Sequence, residues 1–425
     1  MQPINVSGTP AQPGCDEHDP NSLSVEQAIE RIQSSVPVIT DTITLGIKDA
    51  FNHVLAEDIS SPINVPPYRN SAMDGYAIKA ADIPTTGTTT LKKVGTSWAG
   101  TPFAGVVNNE ECVRIMTGAK MPDETDTVIM QEHVTKDGDS ITISAGHCNG
   151  QNVRHAGEDI QQGSIVLNKG VQIRAAEMGL LASLGFAEVT VHRPLKVCFF
   201  STGDELKPVG SQLEDGQIYD SNRYTLHGML APLNVEIIDL GVIPDDRDKI
   251  RQAFHDSAAQ ADVVITSGGV SVGDADFVKE TLTELGQVNF WKIAMKPGRP
   301  LAFGQVDNAF FFGLPGNPVS VMATFYEFAL AGIKKMMGLT NQENIVVQAR
   351  CTQALKKRPG RTDFQRGILS QDKNGELVVE PVGMQASHIL SGMSQANCFI
   401  VLPALSGNVE TGSMVDVQPF YGLMS

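Results

Sequence analysis

The chain has 425 residues, more than one hydrophobic core accommodates, so about two to four domains are expected. Its 48 acidic residues outweigh 32 basic ones, and a formal charge of −16 excludes nucleic acid and anionic membrane as main partners. No apolar run reaches membrane length, no secretory leader pattern opens the chain, and six scattered cysteines form no C-x-x-C pair. These features predict a cytoplasmic protein without a disulfide framework or zinc site.

Residues 1–20 carry four prolines and few aliphatic side chains, which predicts a disordered leader. Ser24 and Gln27 have capping-box spacing, and Val25, Ala28, Ile29 and Ile32 form one apolar helical face. From 61 to 155 the segments are short, β-rich and punctuated by turns. Strands are expected at 112–116 and 127–131, with an Asp137-Gly138 hairpin before 141–143. A second helix is expected at 174–184, stopped by Gly185. Its expected partner is the first helix, so 21–60 and 156–192 read as one discontinuous helical and linker domain carrying 61–155 as a β-rich insertion.

From 193 to 340, strands near 195–200, 235–240, 262–266 and 309–313 alternate with helical stretches near 222–231, 247–260, 275–285 and 318–336. That alternation predicts a doubly wound parallel sheet with helices on both faces. Residues 341–425 return to short strands, with Asn374-Gly375 as a hairpin turn, and predict a small β-barrel or sandwich. The fold class is therefore multidomain α/β plus β.

Ligands of open parallel sheets bind beyond the carboxyl ends of the strands. Each predicted strand of the central domain ends in a tight polar turn: 201–205 with Glu205, 241–246 with Asp245, 266–276, and 313–318 with Pro315 and Pro318. The third, T-S-G-G-V-S-V-G-D-A-D, is the most informative. Ser267, Gly268 and Gly269 suit close approach of backbone N–H groups to an anion. Asp274 and Asp276 suit a hard cation such as Mg2+. Lys292, Lys296 and Arg299 follow in a Gly/Pro-fixed stretch as candidate anion ligands. The chain contains no G-x-G and no Gly-Lys step, which argues against dinucleotide enzymes and P-loop NTPases. A G-x-S-x-G match at 269–273 starts two residues past its strand, has only His388 downstream, and sits in an acidic rim, so a serine hydrolase is disfavoured. Outside the central domain, Asp74 stands in a dense turn at 70–77, Thr117 is the hydroxyl that ends a strand, and Asp159 stands in an acidic turn. Lys356, Lys357, Arg358, Arg361 and Arg366 make a basic stretch, read as a solvated loop or an anion-binding edge.

Taken in order, N-S-A-M-D-G-Y-A at 70–77, R-I-M-T-G-A at 114–119, G-E-D-I at 157–160, F-S-T-G-D-E-L at 200–206, S-G-G-V-S-V-G-D-A-D at 267–276, G-L-P-G-N-P at 313–318 and D-F-Q-R-G at 363–367 resemble the molybdopterin molybdenumtransferase family, MoeA and the gephyrin E domain. The resemblance runs from about residue 22 to the end. It implies insertion of molybdenum from molybdate into adenylylated molybdopterin, with Mg2+ and release of AMP. It implies an elongated homodimer with shared active sites, and contact with the adenylyltransferase that makes the substrate. By motif, Glu205, Asp245 and Asp276 would serve metal, molybdate or phosphate chemistry, Lys292 and Lys296 would hold anionic groups, and Pro315 and Pro318 would shape the wall. Asp74, Thr117, Asp159, Arg366 and Ser387 would reach in from the neighbouring subunit. The family also contains a scaffold use, as in gephyrin, and a preceding adenylyltransferase resembles the same central sheet. The intact acids favour molybdenum insertion over the first, and the insertion domain and tail favour it over the second.

Overall fold

The structure, a computed structural model, describes residues 21–269, 277–340 and 344–420, so the predicted leader lies outside the described residues. Helix α1 (Val25–Ser35) begins on the expected capping box. The Gln27 N–H donates to Ser24 Oγ at 3.2 Å, and the Ser24 N–H donates to Gln27 Oε1 at 3.0 Å. Helix α2 (Ala175–Ser183) was its expected partner, but the two lie in different cores. Val25, Ala28 and Ile32 of α1 join Phe312, Ile333 and Met336 of the central domain. Leu181 of α2 joins Leu55, Ile173, Val189 and Val191. Apolar spacing defines a face but not what covers it. Here Gly332 makes room for α1, since a Cβ there would stand 3.1 Å from Ile32 Cγ2. The stretches flanking the insertion are joined by strands instead: Thr42–Gly46 pairs antiparallel with Glu188–His192, and Ile59–Ser60 with Ile165–Leu167.

The intervening segment forms a six-stranded sheet in which Gly75–Ile78 lies between Thr127–Met130 and Glu111–Ile115. Val134–Asp137 and Ser140–Ser144 form the hairpin signalled by Asp137-Gly138, with Gly138 at φ 58°.

The central sheet contains β1 (Lys196–Thr202), β2 (Glu236–Ile243), β3 (Val263–Ser267), β4 (Gly286–Lys292), β5 (Pro300–Val306) and β6 (Ala309–Leu314), in the spatial order β2-β1-β3-β6-β5-β4. The first four are parallel, as predicted, while β5 and β4 extend the sheet antiparallel. The Pro-Gly-Arg-Pro punctuation concealed that edge hairpin, so 291–300 read as loop. Adjacent strand residues point to opposite faces. Phe199, Ile265 and Phe312 meet Leu226 and Leu230 of α3 (Ser221–Leu230). Phe200, Val264 and Phe311 meet Ile250 and Phe254 of α4 (Arg247–Gln260) and Leu282 of α5 (Phe277–Leu285). The first face is completed by α6 (Pro318–Thr324), a π-helical turn (Phe325–Ala329) and α7 (Leu330–Met336).

In the C-terminal region β7 (Val347–Cys351), β8 (Thr362–Gln371), β9 (Leu377–Pro381), β10 (Cys398–Leu402) and β11 (Met414–Pro419) close into a barrel, because β8 pairs with both β9 and β10. This decides between the barrel and sandwich alternatives. The segment Met295–Lys296 adds to β8 in parallel, with Lys296 opposite Asp363.

Candidate active site

The carboxyl ends of β1, β3 and β6 converge on glycines that tolerate no side chain. Gly268 has φ 95°, and a Cβ there would meet Thr202 O at 3.1 Å. Gly269 has φ 65°, and its Cβ would meet Val278 Cγ2 at 2.4 Å. Positive φ and close approach both require glycine here. The Gly268 N–H donates to Leu314 O at 3.1 Å, joining the third strand end to the fourth. Ser267 is buried, with its Oγ 3.5 Å from Ser201 Oγ, so it lines the floor and not the rim. Pro318 opens α6, where its fixed φ and missing N–H cost nothing.

An acidic rim stands beside this mouth. The Asp245 N–H donates to Asp204 Oδ1 at 3.1 Å, tying the end of β2 to the end of β1. Burial, and then the negative charges of Asp204 and Glu205, hold the Asp245 carboxyl above the usual carboxylate range. Carboxylates crowded in this way favour a proton or a hard cation. Among the described residues no three His, Cys, Asp or Glu side chains are already grouped to hold a metal. The predicted Asp274 and Asp276 lie outside the described residues.

The basic groups meet on the other side of α6. Lys296 lines a cleft of about 520 Å³ with Lys356, Arg358, Arg361 and Asp363. It also lines an adjoining cleft of about 600 Å³ with Pro297, Gln365 and Gln385. The predicted basic stretch is therefore not uniformly solvated. Lys357 is buried, and its Nζ donates to Arg358 O at 2.8 Å and Arg361 O at 2.6 Å. That ammonium folds the loop beneath itself and turns it toward the cleft. Asp363 Oδ1 is 3.9 Å from the same Nζ, yet the Lys357 pKa is lowered and that of Asp363 raised, because burial outweighs an attraction at this distance.

Arg366 is fully buried rather than part of a solvated edge. Its Nη2 donates to Met384 O, and its backbone N–H donates to Gln385 Oε1 at 2.8 Å. Nε and Nη1 have no hydrogen-bond partner among the described residues. A buried guanidinium with two unused donors suits an anion. The Val319 N–H of α6 donates to Ser387 O at 3.1 Å, so Ser387 stands on its own chain's central domain. These are contacts within one chain; the resemblance implies that Arg366 and Ser387 serve the site of a neighbouring subunit. Lys292 is exposed at the end of β4, where its carbonyl accepts from the Leu23 N–H at 2.9 Å.

The remaining predicted residues form a separate group. Asp74 Oδ1 accepts from both the N–H and the Oγ1 of Thr117, each at 2.8 Å. The Thr117 backbone hydrogen bond, then its hydroxyl, hold the Asp74 carboxyl below its usual pKa. Asp159 stands on another turn, where its N–H donates to Val65 O at 3.0 Å. These contacts belong to the insertion and linking segments.

Asn222 was missed in the sequence. Its Nδ2 donates to Gly316 O at 2.7 Å, fastening α3 to the turn between Pro315 and Pro318. The signal was Asn at the second position of a helix already capped by Asp220, an unfavourable place for Asn unless its side chain is used.

Three family models cover the chain: MoeA N-terminal region (domain I and II) over residues 23–185, a probable molybdopterin binding domain over 198–335, and MoeA C-terminal region (domain IV) over 348–420. A molybdopterin molybdenumtransferase from Haemophilus influenzae is 48% identical, covering 95% of this chain and 100% of that protein. One from Staphylococcus aureus strain COL is 33% identical over 93% and 95%, and a gephyrin from Dictyostelium discoideum is 33% identical over 93% and 62%. The crystal structure of a molybdopterin biosynthesis moeA protein from Pyrococcus horikoshii OT3 superposes with TM-score 0.82 at 28% identity, covering 94% of this chain and 100% of that one.

Proposed function

We propose that the chain, which belongs to the molybdopterin molybdenumtransferase family, transfers molybdenum to molybdopterin in the biosynthesis of molybdenum cofactor. The finer reading takes molybdate as the metal source and adenylylated molybdopterin as the acceptor, with AMP released. The observation that carries it is the position of α6. Its first residue, Pro318, stands at the glycine mouth. Its far side supports the turn after Lys296, where a Cβ on Gly298 would meet Thr324 Cγ2 at 2.6 Å. One helix thus fixes the glycine mouth relative to a cationic cleft suited to an oxoanion.

In this reading Lys296 binds and orients the oxoanion, Arg366 is contributed by a second subunit, and Gly268 and Gly269 let backbone approach the phosphate. Ser267 keeps the floor of the mouth polar. The crowding of Asp245 by Asp204 and Glu205 is the chemistry of an oxygen donor set, and it fits Mg2+. Glu205, Asp245 and Asp276 would hold the ion, which when bound supplies Lewis acidity at the phosphate bridge. Asp74, with Thr117 keeping its carboxylate ionised, serves as an orienting anion contributed by a second subunit of a cytoplasmic homodimer.

Purified protein supplied with Mg2+, molybdate and adenylylated molybdopterin is expected to activate a cofactor-free molybdoenzyme, and Asp276→Ala and Lys296→Ala are expected to abolish this. Undiminished activation by both variants would remove the site from the reading.

A further inference from the structure

Helix α3 starts at Asp220, whose Oδ1 accepts from the Arg223 N–H at 3.2 Å. That cap serves the first turn, so Asn222 is not required for capping. Asn is a poor helix former, and here it is only 9% exposed. Its Nδ2 donates to Gly316 O at 2.7 Å, while its Oδ1 is buried without a partner among the described residues. An unpaired buried carbonyl is unfavourable, so an apolar side chain of the same size would pack at least as well. The advantage of asparagine at this position is its donor.

That donor holds the wall of the mouth. Gly316 sits between Pro315 and Pro318 and faces the Gly268 loop, since a Cβ on Gly316 would lie 3.9 Å from Gly268 Cα. The same helical turn also reaches the neighbouring strand, with Arg223 Nη1 3.5 Å from Asp239 Oδ1 in the middle of β2. The first turn of α3 is thus fastened both to β2 and to the proline wall of the mouth.

We infer that Asn222 is a positioning residue, fixing Gly316 and the Pro315–Pro318 wall against the Gly268–Gly269 loop. The hydrogen bond stands on geometry alone; its consequence for turnover rests on the proposed function. Outer-shell groups that orient metal ligands contribute about 10- to 100-fold when removed, and an effect of that order is expected here.

The test compares full-length wild type with Asn222→Ala and Asn222→Asp. Amide hydrogen exchange at Leu314, Gly316 and Asn317 is expected to quicken at least about tenfold in both variants at pH 8. With adenylylated molybdopterin, kcat/KM is expected to fall about tenfold for Asn222→Ala and further for Asn222→Asp, whose carboxylate opposes Gly316 O. As pH falls toward about 5, Asn222→Asp should recover relative to wild type, because a protonated carboxyl donates where the amide did. Unchanged exchange in both variants overturns the inference. So does Asn222→Asp matching wild type at every pH while Asn222→Ala is impaired, since shape alone then suffices. Wild type that exchanges as expected but never turns over refutes the proposed function and leaves the hydrogen-bond role standing on the exchange data.

Discussion

Lys296 and Asp363 face each other across the parallel pairing of Met295–Lys296 with the start of β8. Far apart in the sequence, they set a cation of the central domain beside the basic loop of the barrel. Both clefts around Lys296 depend on that register.

Lys296→Ala therefore removes fixed positive potential without disturbing a core, since the residue is exposed. Turnover is expected to fall by about 10²-fold or more, the usual effect of losing one preorganised electrostatic contact. The melting temperature is expected to stay within about 2 °C, the scale of a surface substitution. Steady-state kinetics beside a thermal melt checks both.

The Asp74–Thr117 contact predicts a titration change. The folded pKa of Asp74 is depressed, so the stabilising contact is present above the ordinary carboxylate range and is lost as pH falls through the folded value. Thr117→Val deletes the hydroxyl donor and leaves the N–H. Carbon NMR of the Asp74 carboxyl is expected to show its midpoint rising toward the ordinary value, while Thr117→Ser leaves it in place.

Asp245 has the opposite sign. Its raised folded pKa means that the native state binds more protons than the unfolded chain, so stability declines as pH rises through that interval. Mg2+ should reverse the decline. At a concentration about 100-fold above Kd it would add about 2.7 kcal/mol. Thermal unfolding with Mg2+ or EDTA at pH 8 and pH 5 is expected to show stabilisation that shrinks at the lower pH and disappears in Asp245→Asn.

Glu327 lies in the π-helical turn, is 4% exposed, and accepts from Gln418 Nε2 at 2.9 Å across the seam with the barrel. Burial pushes its pKa up to about 7, with Gln418 acting in the opposite direction. A raised acid is destabilising above its folded pKa, and a rise of that size corresponds to about 3 kcal/mol. Glu327→Gln keeps the acceptor and removes the ionisation. Urea denaturation is expected to show it more stable than wild type at pH 8 and equal at pH 5.

Local signals were readable where one segment determines its own conformation. The Ser24–Gln27 capping box, the Gly138 hairpin and the parallel strands ending at Thr202, Ser267 and Leu314 all stand where spacing and turn chemistry placed them. What required long-range packing was not readable. The apolar face of α1 does not encode whether α2 or the Gly332 region covers it, and the prolines at 297 and 300 hid an edge strand. In the site, glycines and acids at strand ends were legible because their backbone roles are local. The burial of Lys357 and Arg366 and the reach of Asn222 to Gly316 arise from loops meeting across the fold.

The central claim is that this chain couples molybdenum insertion to loss of the nucleotide. The direct measurement mixes purified protein, Mg2+, molybdate and adenylylated molybdopterin, then counts AMP released and molybdenum retained by the pterin over time. Equimolar, simultaneous appearance of both, absent in Lys296→Ala, is the predicted result. Molybdenum incorporation without AMP, or AMP release independent of molybdate, would contradict the account.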